Sequence, residues 1–213
     1  MFARYDADLP AELAEIYLSF HDNENMADVI MDTLPAAVSF HFGISSEQVI
    51  KRFKARGIVT LATATSVREA QLIEDSGIDF IVAQGIEAGG HRGIFNPEEN
   101  DYRHSTFTLV QAIRKVSSLP VIGAGGIMDG AGIAAILKLG AAGVQMGTAF
   151  ILCPESSTNE AYRQVLKSEK AANTVMTSAI SGHPARCIAN DFCNLTWEFA
   201  QDSIPLSSDI RTR

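Results

Sequence analysis

A repeated alternation of short apolar runs with amphipathic segments constrains the fold of this chain more than any other feature. The β-branched runs recur roughly every twenty residues, and the intervals between them carry helix-type periodicity. Repeated strand–turn–helix units indicate an α/β fold in which helices cover a parallel sheet. The predicted strands span residues 37–42, 58–62, 79–83, 120–124 and 142–146, and the predicted helices span residues 46–56, 67–76, 106–117 and 129–139.

Turn residues support these boundaries. Serines stand before two predicted helices with capping-box partners three residues on: Ser45 with Gln48, and Ser66 with Glu69. Glycines suited to left-handed C-caps follow three of the helices: Gly57, Gly77 and Gly140. Residues 58–84 and 121–147 also repeat one order of strand, turn, helix, glycine and strand. Such repeats fit a barrel and a doubly wound sheet equally well.

The length of 213 residues favours a single domain and is short for a complete eight-fold barrel, which needs about 250 residues. Within that domain we distinguish three parts. Residues 1–33 form an acidic helical segment, residues 34–153 form the β/α units, and residues 154–213 form a mainly helical tail without a clear strand signal.

Charge and cysteine usage exclude several classes of function. The formal net charge is −8 and no run of Lys or Arg is present, which argues against nucleic acid as a partner. The three cysteines lack CxxC spacing and His104 and His183 lack metal-ligand spacing, so we expect neither a disulfide framework nor a metal site. The cysteine pattern favours the reducing cytoplasm as the location of the protein.

No segment has the pattern of a membrane span or a secretory signal. The N-terminus lacks an apolar core region, and polar residues interrupt the apolar stretch at 121–152: Asp129, Lys138 and Gln145. We therefore predict no membrane partner.

The most informative motif is residues 84–93, QGIEAGGHRG, directly after a predicted strand. Its glycines allow the backbone to approach a ligand, and they present His91 at the carboxyl end of a strand, where barrel active sites lie. An imidazole can accept or donate a proton at neutral pH, which makes His91 the candidate general base. The alternative is an ordinary loop histidine. His41, near the end of the first predicted strand, could line the same pocket or pack in the core.

Two further glycine-rich strand exits follow, at residues 120–130 (PVIGAGGIMDG) and 140–150 (GAAGVQMGTAF). Backbone N–H groups in such turns can bind a phosphate, although tight β–α turns have the same composition. Neighbouring turns of this kind are what a phosphate site between two barrel strands requires. Gln145 could bond a ligand from inside the barrel, whereas Met146 also suits the strand core.

In order and spacing, these three motifs resemble the signature segments of the nitronate monooxygenase family, formerly called 2-nitropropane dioxygenases. Residues 39–43 (SFHFG) and 181–186 (SGHPAR) also look like family segments, so the resemblance covers residues 37–195. It implies a (β/α)8 TIM-type barrel that binds FMN non-covalently and oxidises alkyl nitronates with O2 to a carbonyl compound and nitrite.

The resemblance also implies roles for individual residues. His91 corresponds to the active-site histidine, which can abstract the α-proton of a neutral nitroalkane. The implied FMN contacts are Gln84 and Gly89 beside the flavin, and Gly126, Gln145, Met146, Gly147 and Thr148 around the phosphate. One tail position departs from the family, because His183 stands where arginine is common.

The family pattern has three earlier strands without a counterpart here, so the five predicted strands correspond to the fourth to eighth. We therefore expect an incomplete barrel, arising from a fragment, a shortened gene, or a homo-oligomer or partner chain that completes the sheet. Two alternatives to the monooxygenase remain: a related flavin-dependent enoyl-acyl-carrier-protein reductase, which shares the pattern at residues 87–91, and a truncated FMN-binding remnant without activity. Gln84 and Arg92 favour the monooxygenase.

Overall fold

The computed structural model describes residue 20 and residues 24–193, and all structural statements below concern these residues. The helices are α1 (Glu24–Thr33), α2 (Glu47–Ala55), α3 (Val67–Asp75), α4 (Thr106–Val116), α5 (Gly130–Lys138) and α6 (Glu160–Leu166). The strands are β1 (Ala37–Phe40), β2 (Val59–Ala64), β3 (Phe80–Gln84), β4 (Gly90–His91), β5 (Val121–Ala124), β6 (Gly143–Gln145), β7 (Thr174–Thr177) and β8 (Ala185–Ile188). Short 3-10 turns span Thr148–Phe150 and Glu169–Ala172.

The main sheet contains five parallel strands in the order β1-β2-β3-β5-β6. Each of the five predicted strands is confirmed, with ends that differ by no more than two residues, and helices α2 to α5 connect them in chain order. Because the strands are parallel and in sequence order, all their carboxyl ends meet at one edge of the sheet. Within the described residues, no strand pairs with the outer edge of β1 or β6.

The core lies between the sheet and its helices. Phe40 of β1 stacks on Phe53 of α2, with ring centroids 6.4 Å apart. Gly123 of β5 lies against Ile136 of α5, and a Cβ at this glycine would be 2.6 Å from the Ile136 side chain. Fully buried isoleucines from two other helices, Ile73 and Ile113, extend the same layer. Burial of each such side chain stabilises the fold by about 1.5–3 kcal/mol.

The capping predictions are confirmed with one shift in register. Ser66 caps α3, where its side chain accepts a hydrogen bond from the backbone of Glu69. The cap of α2 is Ser46 rather than Ser45, because the hydroxyl of Ser46 accepts from the N–H of Val49. The three predicted C-cap glycines all have positive φ: Gly57 at 75°, Gly77 at 81° and Gly140 at 93°.

The prediction of a mainly helical tail without strands is wrong between residues 174 and 188. There β7 and β8 pair antiparallel, and β8 also pairs with β4 to form a second sheet in the order β4-β8-β7. Each of these strands has four residues or fewer, so none carries a long alternating pattern. The predicted N-terminal helix is found at α1, whereas its residues 1–19 and 21–23 and the tail beyond residue 193 lie outside the described part.

In the described residues, no helix is long and apolar enough to cross a membrane.

Candidate functional site

The three glycine-rich motifs meet at the carboxyl edge of the main sheet. The first and second are joined by a hydrogen bond from the N–H of Gly85 to the carbonyl of Ala124, at 2.9 Å. The first and third touch where Gly89 passes Thr148, since a Cβ at Gly89 would lie 2.8 Å from the Thr148 hydroxyl. A larger residue at position 89 would displace the Thr148 side chain, so the first and third motifs pack closely at this crossing.

The second motif forms a tight turn with exposed backbone donors. Gly125 and Gly126 have φ angles of 109° and 69°, a region that favours glycine. In the described residues, the N–H groups of Gly126, Gly147 and Thr148 have no protein acceptor. The N-terminus of α5 is capped by Asp129, whose carboxylate accepts from the N–H of Gly132 at 2.8 Å. The turn amides, rather than this capped helix end, are therefore the donors suited to an anion.

Gln84, predicted to contact the flavin, is buried and holds the loop that follows β3. Its side-chain nitrogen donates to the carbonyl of His91 at 2.9 Å, and its side-chain oxygen accepts from the N–H of Gly93 at 2.8 Å. The amide thus spans the two sides of the loop that carries His91. Its contact with flavin stays a prediction.

Arg92 holds the same loop from the interior, a structural role that its sequence context does not indicate. Its side chain is fully buried and forms two 2.9 Å bonds to the carboxylate of Asp101. It also donates to the backbone carbonyl of Gln84 at 2.7 Å and, at 3.4 Å, to that of Thr65. Burial opposes ionisation of Asp101, but bonds from Arg92 and Arg103 outweigh it and lower its pKa below the ordinary value.

Thr106, at the start of α4, is a second residue whose role at this edge the sequence does not indicate. Its hydroxyl lies within hydrogen-bond distance of the carbonyls of Ala124 and Gly125, and its N–H donates to the carboxylate of Glu87 at 3.0 Å. It therefore connects the first and second motifs. A Ser-Thr pair before a helix is a capping signal, but the long-range contacts have no sequence pattern.

His91 is exposed at the rim of this edge, where β4 pairs it with Ala185 of β8. Its Nε2 lies 2.8 Å from the hydroxyl of Ser181, and that hydroxyl donates to the carbonyl of His183 at 3.3 Å. Because the single hydroxyl proton is used on His183, the Ser181 oxygen accepts from Nε2–H of His91. This arrangement leaves Nδ1 of the neutral imidazole as its proton acceptor.

Phe42 lies at the centre of a group of histidines beside the candidate base. Its ring centroid is 4.4 Å from that of His41, 5.7 Å from that of His91 and 5.1 Å from that of His183. Phe42 has a φ of 65°, which is uncommon for a bulky residue and costs backbone strain. The aromatic face and three imidazoles together form one wall beside the glycine-rich edge.

The third motif divides into exposed and packed residues. Gln145, at the end of β6, is exposed together with Gly147 and Thr148, whereas Met146 packs against the hydrophobic core. A depression of about 650 Å3 borders Gly147, with a lining that includes Phe150 and no residue of the 84–93 motif. Gln145 is thus available to a ligand, and the Met146 side chain serves the core.

The cysteines of the tail form a close thiol pair, with Sγ atoms of Cys187 and Cys193 3.5 Å apart. Burial, and then the neighbouring thiol of Cys193, raise the pKa of Cys187 to about 11.

Since the thiolate is the reactive form, alkylation of Cys187 should be slow at pH 7 and still accelerate as the pH rises past 10. Peptide mass spectrometry after timed iodoacetamide treatment measures this rate, and a plateau below pH 9 would contradict the expectation.

Among the described residues, no group of three or more His, Cys, Asp and Glu side chains is placed to hold a metal ion. The fold and the site define an α/β protein whose parallel strands end together at one glycine-lined edge, the position at which the active sites of parallel β/α barrels lie.

Comparison with known proteins identifies the family. A model of the family "Nitronate monooxygenase" matches residues 2–211. The nitronate monooxygenase of Paraburkholderia phytofirmans is 53% identical over 194 residues, which cover 91% of this chain and 53% of that protein. The nitronate monooxygenase of Pseudomonas aeruginosa is 50% identical over 190 residues, covering 89% and 54%. The chain therefore belongs to the nitronate monooxygenase family, and it spans about half the length of these curated relatives.

Solved structures agree with this assignment. Nitroalkane oxidase from Streptomyces ansochromogenes superposes with a TM-score of 0.79 at 38% identity, over 84% of this chain and 52% of that chain. FabK from Thermotoga maritima superposes with a TM-score of 0.74 at 31% identity, over 90% of this chain and 58% of that chain. The (β/α)8-type fold predicted from the sequence is confirmed, with five parallel strands of the main sheet in the described residues.

Proposed function

We propose that this chain carries the cofactor-binding and catalytic edge of an enzyme that oxidises alkyl nitronates with O2 to a carbonyl compound and nitrite, using FMN. The observation that carries the proposal is the meeting of three glycine-rich strand exits beside His91, seen in the contact of Gly89 with Thr148 and in the bond from Gly85 to Ala124. Family membership supports the same chemistry.

The donor set at this edge suits the phosphate of FMN. The backbone N–H groups of Gly126, Gly147 and Thr148 have no protein acceptor in the described residues, and the hydroxyl of Thr148 is exposed beside them. Backbone amides in such turns bind anions without a competing side chain. In the proposal Gly126, Met146, Gly147 and Thr148 surround the phosphate through backbone atoms, and Gln84, Gly89 and Gln145 lie towards the rest of the cofactor.

His91 is the proposed catalytic base. Its Nε2–H donates to Ser181, so Nδ1 can accept the α-proton of a neutral nitroalkane, while a nitronate arrives already deprotonated. FMN, when bound, supplies the electron-accepting chemistry of the oxidation. Phe42 and its neighbouring histidines form an aromatic wall on one side of His91.

The test combines cofactor binding with turnover. The purified chain is titrated with FMN, and O2 uptake and nitrite release are then measured with propionate 3-nitronate. We expect bound flavin absorbance and formation of nitrite with consumption of O2. Bound flavin with neither O2 uptake nor nitrite would reject the monooxygenase activity, and failure to bind flavin would favour the inactive remnant. Rapid NADH oxidation coupled to an enoyl thioester would instead support the reductase.

The proposal includes further partners. Its substrates are a nitronate or nitroalkane and O2, and its location is the cytoplasm. In the described residues the outer edges of β1 and β6 carry no paired strand, and unpaired parallel edges readily bind another strand. A second copy of the chain or a partner chain therefore completes the sheet in this proposal.

A further inference from the structure

We infer that His41 is a positioning residue for His91: it donates from Nε2–H to the backbone carbonyl of His91 and, together with Gln84, fixes where the His91 imidazole stands. The inference rests on the proposed catalytic role of His91 and concerns a different residue of the same site.

The carbonyl of His91 receives two side chains from two strands. Gln84 of β3 donates to it at 2.9 Å, and Nε2 of His41, which follows β1, lies 3.4 Å from the same oxygen. A carbonyl oxygen has two lone pairs, so both contacts can be satisfied at once. The two side chains thus hold the backbone of His91. The antiparallel pairing of β4 with β8 fixes the same backbone further.

The other ring nitrogen fixes the tautomer of His41. Nδ1 lies 3.1 Å from the hydroxyl of Thr63, which is buried. Since the carbonyl of His91 can only accept, Nε2 must carry the proton, and Nδ1 then accepts from the Thr63 hydroxyl. Burial lowers the pKa of His41. The bond to the His91 carbonyl opposes this effect in part, whereas the charge of the His91 ring adds to it, and the lowered pKa favours the neutral form.

The His41 ring packs against the loop that carries His91 and against Phe42. A Cβ at Gly93 would lie 2.7 Å from Cε1 of His41 and 2.6 Å from the Thr63 methyl group, so the loop passes directly over the ring. Phe42 contacts the ring edge-on from the other side. The imidazole therefore lies in direct contact with the loop that it positions, although His41 as a residue is exposed.

Two near-isosteric variants separate positioning from simple packing. The amide nitrogen of glutamine can replace Nε2 as the donor to His91, whereas that of asparagine lies too close to its backbone to reach. We expect His41→Asn to lower turnover of a neutral nitroalkane by about tenfold to a hundredfold, and His41→Gln to recover most of that loss. Flavin affinity should stay close to the wild-type value in both variants, because His41 is not among the proposed FMN contacts. Equal turnover in the two variants would overturn the inference.

A second measurement does not depend on activity. Long-range 1H–15N NMR of the flavin-loaded protein distinguishes the two neutral tautomers of a histidine. We expect His41 to show a protonated Nε2 and an unprotonated Nδ1 at pH 7, and we expect Thr63→Val to weaken this preference. A protonated Nδ1 would overturn the inference even if nitronates are oxidised. If His41 shows the expected tautomer but the protein makes no nitrite, the contact between His41 and His91 is supported and only the proposed function is rejected.

Discussion

Replacement of Arg92 by alanine should lower the free energy of unfolding by about 3–5 kcal/mol, the usual cost of removing one partner from a buried ion pair. The Arg92 side chain is 1% exposed, and its bidentate partner Asp101 is 22% exposed. The variant leaves this carboxylate without its main donor and removes the donor to the carbonyl of Gln84. Urea unfolding followed by circular dichroism measures the difference.

The chain provides a matched control at the neighbouring ion pair of Arg68 with Glu99. Its side chains are 71% and 51% exposed, so Arg68→Ala should cost less than about 1 kcal/mol. The pH dependence gives a second check. Since the pKa of Asp101 is lowered in the folded protein, its stabilisation is present above about pH 4 and is lost as the pH falls through the lowered pKa. A gap between wild type and Arg92→Ala that stayed constant from pH 7 to pH 2 would contradict this account.

The main sheet was predictable from the sequence because each of its strands lies in a short, mainly apolar run between turn residues. Such runs are typical of parallel strands buried on both faces, and the intervening helices show their own periodicity. The cap at Ser46 was missed by one position because two serines are adjacent there and either satisfies the local pattern. Which of the two serines caps the helix depends on the local backbone conformation, which the sequence pattern does not give.

The second sheet could not be predicted in the same way. β4 has two residues and pairs with β8, which follows it by more than ninety positions in the chain. Short strands carry little alternation, and their pairing is a long-range property. For the same reason the sequence does not indicate that the tail supplies Ser181 as a partner of His91.

The candidate site was predictable in its location but not in its internal contacts. Glycine-rich strand exits place the motifs at one edge, because parallel strands end together. The burial of Arg92 and the bond from Gln84 to the His91 carbonyl depend on how the loop folds back over β3. A charged residue in a glycine-rich loop is ordinarily exposed, so no local pattern indicates that Arg92 turns inward.

Replacement of His91 by alanine should lower the turnover of a neutral nitroalkane by about a hundredfold to ten-thousandfold, the usual contribution of a general base. His91 is exposed, so its removal should leave folding intact, and it stands at the rim rather than among the turn amides proposed for FMN phosphate. Flavin binding should therefore persist. Turnover of the corresponding nitronate should fall much less, because that substrate has already lost the proton that Nδ1 accepts.

The comparison of the two substrates decides between a catalytic and a structural His91. A structural role would lower turnover of the nitroalkane and of the nitronate by the same factor, since both would encounter a displaced loop. His104→Ala is the matched control: its ring stacks on Tyr102 with a centroid distance of 5.9 Å, and both substrates should keep their wild-type rates. Steady-state nitrite release, measured for both substrates in wild type and the two variants, gives the required ratios. A selective loss of kcat on the nitroalkane in His91→Ala assigns proton transfer to this imidazole, because the nitronate has already lost the α-proton.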